Sequence, residues 1–185
     1  RIDEVGVWDR ALSGDEVAWL AGNSIRSTRL PAYDQVVRDD NPILYWRLDE
    51  TSGTTAFDSS GNGRDGTHVG DVGTGNLPGA VLREPGNASY YFAGDSDGSG
   101  DYVEDTNAPA YLDGLTAMSI EVWVKSDLLD VDRGIFSTTS TPSGHDDVLS
   151  MRYDQQGANT GRDSLLKFAI RDDTGDNQAA ETANF

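Results

Sequence analysis

The sequence predicts an all-β protein, an antiparallel sandwich of two sheets with two short helices near its start. Apolar residues occur in short runs in which they alternate with polar ones, as in strands that bury one face. Turn-forming residues separate the runs, and the chain has 21 glycines, a number typical of many tight turns. Hydrophobic residues make up only 36%, but a chain of 185 residues is long enough for one packed core.

The strands are read from this alternation. Residues 2–8 are interpreted as a strand whose side chains alternate between two faces, with Asp3 and Glu4 on opposite faces. No strand is predicted between 51 and 87, where glycine and small polar residues dominate the first part. The other predicted strands are 43–50, 88–94, 101–104, 119–126, 134–140, 148–154 and 165–173.

Two short helices are predicted before residue 40. Ser13 and Glu16 have the spacing of a capping box, which predicts a helix over 14–21. Gly22 stands where a helix commonly ends. A second helix is predicted over 32–39, because the Asn-Pro pair that follows it stops helical structure.

Charge excludes two classes of partner. The formal net charge is −18, from 32 acidic and 14 basic residues, so the surface repels nucleic acid phosphates and anionic lipids. No apolar run approaches the roughly 20 residues that span a bilayer, so membrane insertion is not expected. There is no cysteine, which excludes disulfides and thiolate metal sites. Clustered carboxylates suit hard cations such as calcium.

Strand 119–126 carries the candidate ligand-binding pair. Its apolar residues face one way, and Glu121 and Trp123 face the other way with Ser119 and Lys125. A sugar ring stacks on an exposed aromatic ring, so Trp123 beside Glu121 is a candidate glycan platform if that face is open. If another element covers the face, Trp123 belongs to the core, which is the commoner position of a large aromatic residue.

Three segments carry a family resemblance: residues 2–20 ("IDEVGVWDRALSGDEVAWL"), 43–66 and 119–125. Together they resemble the bacterial laminin-G-like, concanavalin A-like jelly-roll domains. In that family, residues 43–66 match an opening segment and residues 2–20 match a closing segment. The resemblance implies a two-sheet jelly roll that serves as a recognition or adhesion module of an extracellular or cell-surface protein.

The order of the segments predicts the domain organisation. Because the closing segment precedes the opening one, residues 1–23 are interpreted as the end of one domain and 24–42 as a linker. Residues 43–185 are then the N-terminal part of a second, tandem domain, and neighbouring repeats are expected partners. The alternative is a permuted domain in which residues 1–23 supply the last strand of the same sheet.

The glycine-rich loop 58–66 is the candidate metal site. Asp58 and Asn62 offer oxygen ligands of the kind calcium prefers, and the resemblance adds Asp3 from the closing strand. The alternative is an Asx-turn that needs no metal. A purely structural repeat is the alternative to a glycan-binding module.

Catalysis is not expected. The broad fold includes glucanases whose strand carries a Glu-x-Asp-x-Glu triplet, and glycosidases need two carboxylates flanking the scissile bond. Here Glu121 has no acidic companion on its strand, because Trp123 and Lys125 stand at the corresponding positions. A glycoside hydrolase fragment is therefore the least favoured function.

Overall fold

A computed structural model of the chain describes residues 1–23, 32–81, 86–93, 100–126, 133–139, 147–154, 165–171 and 177–181. The chain divides into two compact units, Arg1–Lys125 and Ser126–Phe185. Strands dominate both units, and every strand pair is antiparallel. The all-β prediction is confirmed at this level.

The helices and strands of the first unit follow in chain order. They are β1 (Ile2–Trp8), α1 (Gly14–Asn23), α2 (Tyr33–Asp39), β2 (Leu44–Trp46), β3 (Thr55–Ala56), β4 (Gly66–Val69), β5 (Val72–Pro78), β6 (Ala88–Phe92), β7 (Tyr102–Glu104), α3 (Pro109–Leu112) and β8 (Ser119–Val124). None of the helices in the described ranges is both long and apolar enough to cross a membrane.

Strand β1 is central in the five-stranded sheet of this unit. One edge pairs with β8 from Ile2 to Trp8, and the other edge pairs with β2 and, at Ile2, with β6. Strand β5 continues the sheet beyond β6. Residues 1–23 therefore contribute a strand to the same sheet as strands that follow residue 43, while the tandem boundary at 24–42 stays a prediction.

Strand β1 is not regular over its whole length, although the alternation of residues 2–8 between two faces predicts a regular strand. The pairing with β8 shifts between Asp3 and Gly6, and Glu4 between them has a φ of 51°. This irregularity has the character of a β-bulge, which re-aims side chains. Asp3 and Glu4 are both buried, at 2% and 1% exposure, as is the rest of β1 after Ile2, so this strand is enclosed on both of its faces.

The two predicted helices are confirmed, with small changes at their ends. In α1 the capping box forms, because the Ser13 N–H donates to Glu16 Oε2 at 2.6 Å and the Glu16 N–H donates to Ser13 Oγ at 3.3 Å. The helix continues to Asn23, so Gly22 lies inside it and does not terminate it as the sequence suggested. Helix α2 begins one residue later than predicted.

Helices and sheet share one hydrophobic cluster. Its buried members are Trp8, Leu20, Tyr33, Val37, Tyr45 and Val81, and Leu12, Trp19 and Trp123 pack against it partly buried. The cluster joins α1 and α2 to β1, β2 and β8. Burial of this apolar area is the main force that holds two short helices on the sheet, since helices of this length are marginal in isolation.

Three strands lie where the sequence predicted none. Strands β3 and β4 pair within the glycine-rich stretch, and β4 pairs with β7 to form a three-stranded sheet. Gly66 is buried and has no room for a side chain, since a Cβ there would lie 2.5 Å from Val103 and 2.7 Å from Trp46. Glycine at this position allows the indole ring of Trp46 to pack closely against the strand. In the sequence, such a glycine cannot be distinguished from a glycine in a turn. Strand β5 follows in the same region.

The second unit is a four-stranded antiparallel sheet of order β12-β11-β10-β9. Its strands are β9 (Arg133–Thr139), β10 (Asp147–Asp154), β11 (Leu165–Arg171) and β12 (Asn177–Glu181). The first three match predicted strands within two residues, and β12 was not predicted. Leu149 and Ser150 of β10 are buried.

Candidate functional site

Strand β8 carries the two predicted ligand-binding residues. Glu121 lies opposite Gly6 of β1, and Trp123 lies opposite Asp3. Both are partly buried. Trp123 packs against the hydrophobic cluster, to which α2 contributes Tyr33.

The hydroxyl of Tyr33 joins Glu121 to Trp123. It donates a short hydrogen bond to Glu121 Oε1 and accepts one from the indole Nε1–H of Trp123 at 3.0 Å. The two aromatic rings also meet edge to face, with centroids 6.5 Å apart and an interplanar angle of 72°. This is a favourable geometry for an aromatic pair. One hydroxyl thus uses a ring N–H donor and a carboxylate acceptor at the same time.

Burial sets the protonation of this group. It raises the pKa of Glu121 to about 7, although the hydrogen bond from Tyr33 opposes the rise. Burial, and then the charge of Glu121, raises the pKa of Tyr33 well above its usual value. Tyr33 therefore keeps its proton at any physiological pH and remains the donor, whereas Glu121 titrates near neutrality.

A second Tyr–Glu pair lies beside the first. Tyr45 of β2 is opposite Gly6, on the other side of β1 from Glu121. Its hydroxyl donates a short hydrogen bond to Glu4 Oε2. The other oxygen of Glu4 accepts a hydrogen bond of 2.8 Å from the side-chain amide of Asn87. Gly6 has no side chain, and a Cβ there would lie 2.7 Å from the ring of Trp8, which passes over it.

Sequence reasoning missed Tyr33, Tyr45 and Glu4. Tyr33 and Glu121 are 88 residues apart and Tyr45 and Glu4 are 41 apart, so no local spacing links either pair. The only available signal was the strong alternation in 119–126, which located Glu121 and Trp123 on one face.

Asp58 of the predicted metal loop is fully engaged by the chain itself. Its carboxylate accepts hydrogen bonds from the N–H groups of Tyr45 (3.1 Å), Ser60 (2.9 Å) and Arg64 (3.0 Å), and from the Ser60 hydroxyl (2.8 Å). Burial would raise the pKa of Asp58, but these hydrogen bonds outweigh it and hold the pKa below its usual value. A carboxylate has about four lone-pair sites, so this set of donors occupies them all.

Asn62 works as a donor that ties the loop to the start of β2. Its side-chain N–H₂ group donates to the carbonyl oxygens of Pro42 at 3.2 Å and Ile43 at 3.1 Å. The same group lies 3.0 Å from the Ser60 hydroxyl oxygen. The loop geometry is that of the Asx-turn considered as the alternative to a metal site.

Asp3 belongs to a different network. Its Oδ2 accepts a hydrogen bond of 2.6 Å from the N–H of Ala80, and within the described ranges its Oδ1 is buried with no hydrogen-bond partner. Burial raises the pKa of Asp3 to about 7. The side-chain oxygen of Asn87 accepts a hydrogen bond from the N–H of Val81 in the same turn, at 3.2 Å.

Within the part of the chain that the structure describes, no group of three or more His, Cys, Asp or Glu side chains has an arrangement suited to a metal ion.

The fold and the site define an all-β protein in which the hydrogen-bonded side chains of Trp123, Tyr33 and Glu121 join a short helix to the central sheet. Comparison with family models, curated proteins and solved structures found no match. What the chain does must therefore be inferred from its own residues.

Proposed function

We propose that this chain is a non-catalytic recognition module that binds a glycan through Trp123 and Glu121. The observation that carries the proposal is that an indole N–H and a carboxylate oxygen converge on one hydroxyl group, that of Tyr33. A sugar hydroxyl also donates one hydrogen bond and accepts another. The polar groups of this pair thus have the hydrogen-bonding chemistry that a sugar hydroxyl requires, beside an indole ring that Tyr33 meets edge to face.

The antiparallel sheets support a jelly-roll sandwich of the laminin-G-like, concanavalin A-like type as the architecture of the module. An acidic surface with a net charge of −18 favours an uncharged ligand over a polyanionic one. The proposed setting is an extracellular or cell-surface protein with neighbouring repeats of the same kind. The proposed partner is a glycan, for example a cell-surface polysaccharide.

A structural calcium is part of the proposal, and its ligand is Asp3 rather than Asp58. Calcium takes about six to eight oxygen ligands, so a carboxylate whose lone pairs already accept four hydrogen bonds fits it poorly. Asp3 is the better candidate of the two, because its Oδ1 is buried without a well-formed hydrogen bond within the described ranges, although Asn87 and the N–H of Glu4 lie near enough to lower its pKa. A bound cation would neutralise this buried carboxylate and so remove an unfavourable charge.

The alternative is a structural repeat without a glycan ligand. It is favoured by one observation: Trp123 packs against the buried cluster, so its indole stabilises the fold whether or not a ligand exists. The two functions make different predictions for Trp123, because a purely structural indole has no effect on any binding reaction.

A glycan array with the 185-residue chain tests the proposal. Binding of a neutral glycan that Trp123→Ala abolishes, with the fold retained by circular dichroism, is the expected result. Trp19→Ala is the matched control, because Trp19 also packs partly buried against the same cluster, whereas Trp123 is the indole that donates to the Tyr33 hydroxyl. Equal loss in both variants, or binding that survives Trp123→Ala, would favour the structural repeat.

A further inference from the structure

Helix α2 is positioned by side-chain contacts, among them an ion pair of 3.9 Å between its buried Asp34 and Arg47, the residue after β2. It has seven residues, of which Tyr33 and Val37 are buried apolar members of the hydrophobic cluster. Just after the end of the helix, Asp40 Oδ1 forms an ion pair with Arg10 Nη2 at 2.5 Å. A helix of seven residues has little stability of its own, so its docking on the sheet depends on these contacts.

We propose that Tyr33 is an internal occupant of the glycan subsite, and that an external sugar binds when α2 withdraws Tyr33 from Trp123 and Glu121. This inference rests on the proposed function. In the docked state the Tyr33 hydroxyl uses the indole N–H of Trp123 and an oxygen of Glu121, and its ring packs against the indole. The phenol therefore satisfies the same groups that a sugar hydroxyl would use.

The exchange has a chemical requirement. Withdrawal of Tyr33 leaves a partly buried N–H and a partly buried carboxylate without their partner, and unpaired buried polar groups are costly. A ligand that restores both hydrogen bonds removes that cost, and one without a hydroxyl does not. The subsite therefore selects hydroxyl-bearing ligands over apolar ones of the same shape.

Occupation by Tyr33 also lowers the apparent affinity. Only the open fraction of molecules binds, so the measured dissociation constant exceeds the intrinsic one by the reciprocal of that fraction. If the docked state is populated about tenfold over the open state, removal of Tyr33 tightens binding by about tenfold.

The test compares Tyr33→Ala and Tyr33→Phe with a control that loses a similar hydroxyl elsewhere. Tyr111→Phe is that control. Tyr111 lies on α3, and its hydroxyl donates a hydrogen bond to the carboxylate of Asp105 at 2.8 Å. The first readout is acrylamide quenching of tryptophan fluorescence, with the contribution of Trp123 isolated by a second set of proteins that carry Trp123→Phe. The second readout is affinity for the neutral glycans of the array.

The expected result is a severalfold rise in quenching of Trp123 and about tenfold tighter glycan binding in Tyr33→Ala, with no change in Tyr111→Phe. Tyr33→Phe keeps the ring but lacks the hydroxyl, so it shifts both readouts in the same direction by less. If Tyr33→Ala fails to fold, Tyr33→Phe against Tyr111→Phe decides the question.

The two proposals fail in different ways. Exposure of Trp123 without binding of any glycan supports the occlusion by Tyr33 and removes the glycan function. Glycan binding through Trp123 that is as tight in the wild type as in Tyr33→Ala overturns the occlusion and leaves the glycan function intact. Quenching of Trp123 that is the same with and without Tyr33 also overturns the occlusion.

Discussion

The hydroxyl of Tyr45 donates a hydrogen bond to the carboxylate of Glu4, and both side chains are almost completely enclosed, at 0% and 1% exposure. The bond joins β2 to the bulged part of β1. Burial, and then the charge of Glu4, raises the pKa of Tyr45 far above its usual value, so Tyr45 remains a donor. The central strand is therefore fixed by a polar contact as well as by its backbone ladder.

Tyr45→Phe should destabilise the protein by about 1–3 kcal/mol, because it leaves a buried oxygen of Glu4 without this donor. The free energy of unfolding from urea titration measures the change. Tyr102→Phe is the control, since it removes the same hydroxyl group from a tyrosine that is 44% exposed. Equal stability of the two variants would mean that the Tyr45–Glu4 bond contributes nothing net.

Asp58→Ala should destabilise the protein by at least about 2 kcal/mol, because four donors lose a charged acceptor together. The loss should be the same with calcium and with chelator, since the donors that need Asp58 are groups of the chain. Denaturant titrations under both conditions measure it. A loss that occurs only with calcium present would return Asp58 to the metal site predicted from the sequence.

Calcium should raise the melting temperature of the wild type and have no effect on Asp3→Asn. An ion that binds only the folded state stabilises it by mass action, and the amide of Asn is a much weaker calcium ligand than a carboxylate. With chelator present, Asp3→Asn should be at least as stable as the wild type, because it removes a buried ionisable group. Identical wild-type melts with calcium and with chelator would contradict the calcium proposal.

Stability should fall as the pH rises from about 4.5 towards 7, with a contribution from Glu121 of up to about 1.4 kcal/mol per pH unit. Stability falls with rising pH because burial raises the pKa of Glu121 to about 7 in the folded protein, from the ordinary value of 4.5. Between these values the unfolded chain loses this proton and the folded chain keeps it. The contribution is complete below the unfolded pKa and is lost once the pH exceeds about 7.

Glu121→Gln isolates this contribution, because the amide cannot titrate while other acidic groups still do. The difference in unfolding free energy between wild type and Glu121→Gln should change with pH between about 4.5 and 7 and be constant above that range. Urea titrations at a series of pH values measure it. A difference that is constant over the whole range would show that the carboxyl group titrates normally.

Much of the secondary structure was predictable because its signals are local. The capping box of Ser13 and Glu16 forms as expected, and the alternation in residues 119–126 grouped Glu121 with Trp123, which share the Tyr33 hydroxyl as a partner. Strands β3, β4 and β5 were not predictable, because their glycines and small polar residues are those of turns. Gly66 is buried only because Trp46 and Val103 approach it from distant parts of the chain.

The sequence by itself determined that this protein is built from antiparallel strands with two short helices near its start, since periodicity, caps and turn residues act within a few positions. Tertiary structure alone decided the partners of its polar side chains. Pairing of β1 with β2 placed Glu4 against the hydroxyl of Tyr45, and α2 placed Tyr33 between Glu121 and Trp123. Such contacts join residues far apart in the chain, and the free energy of burial that selects them exists only once the sheet has formed.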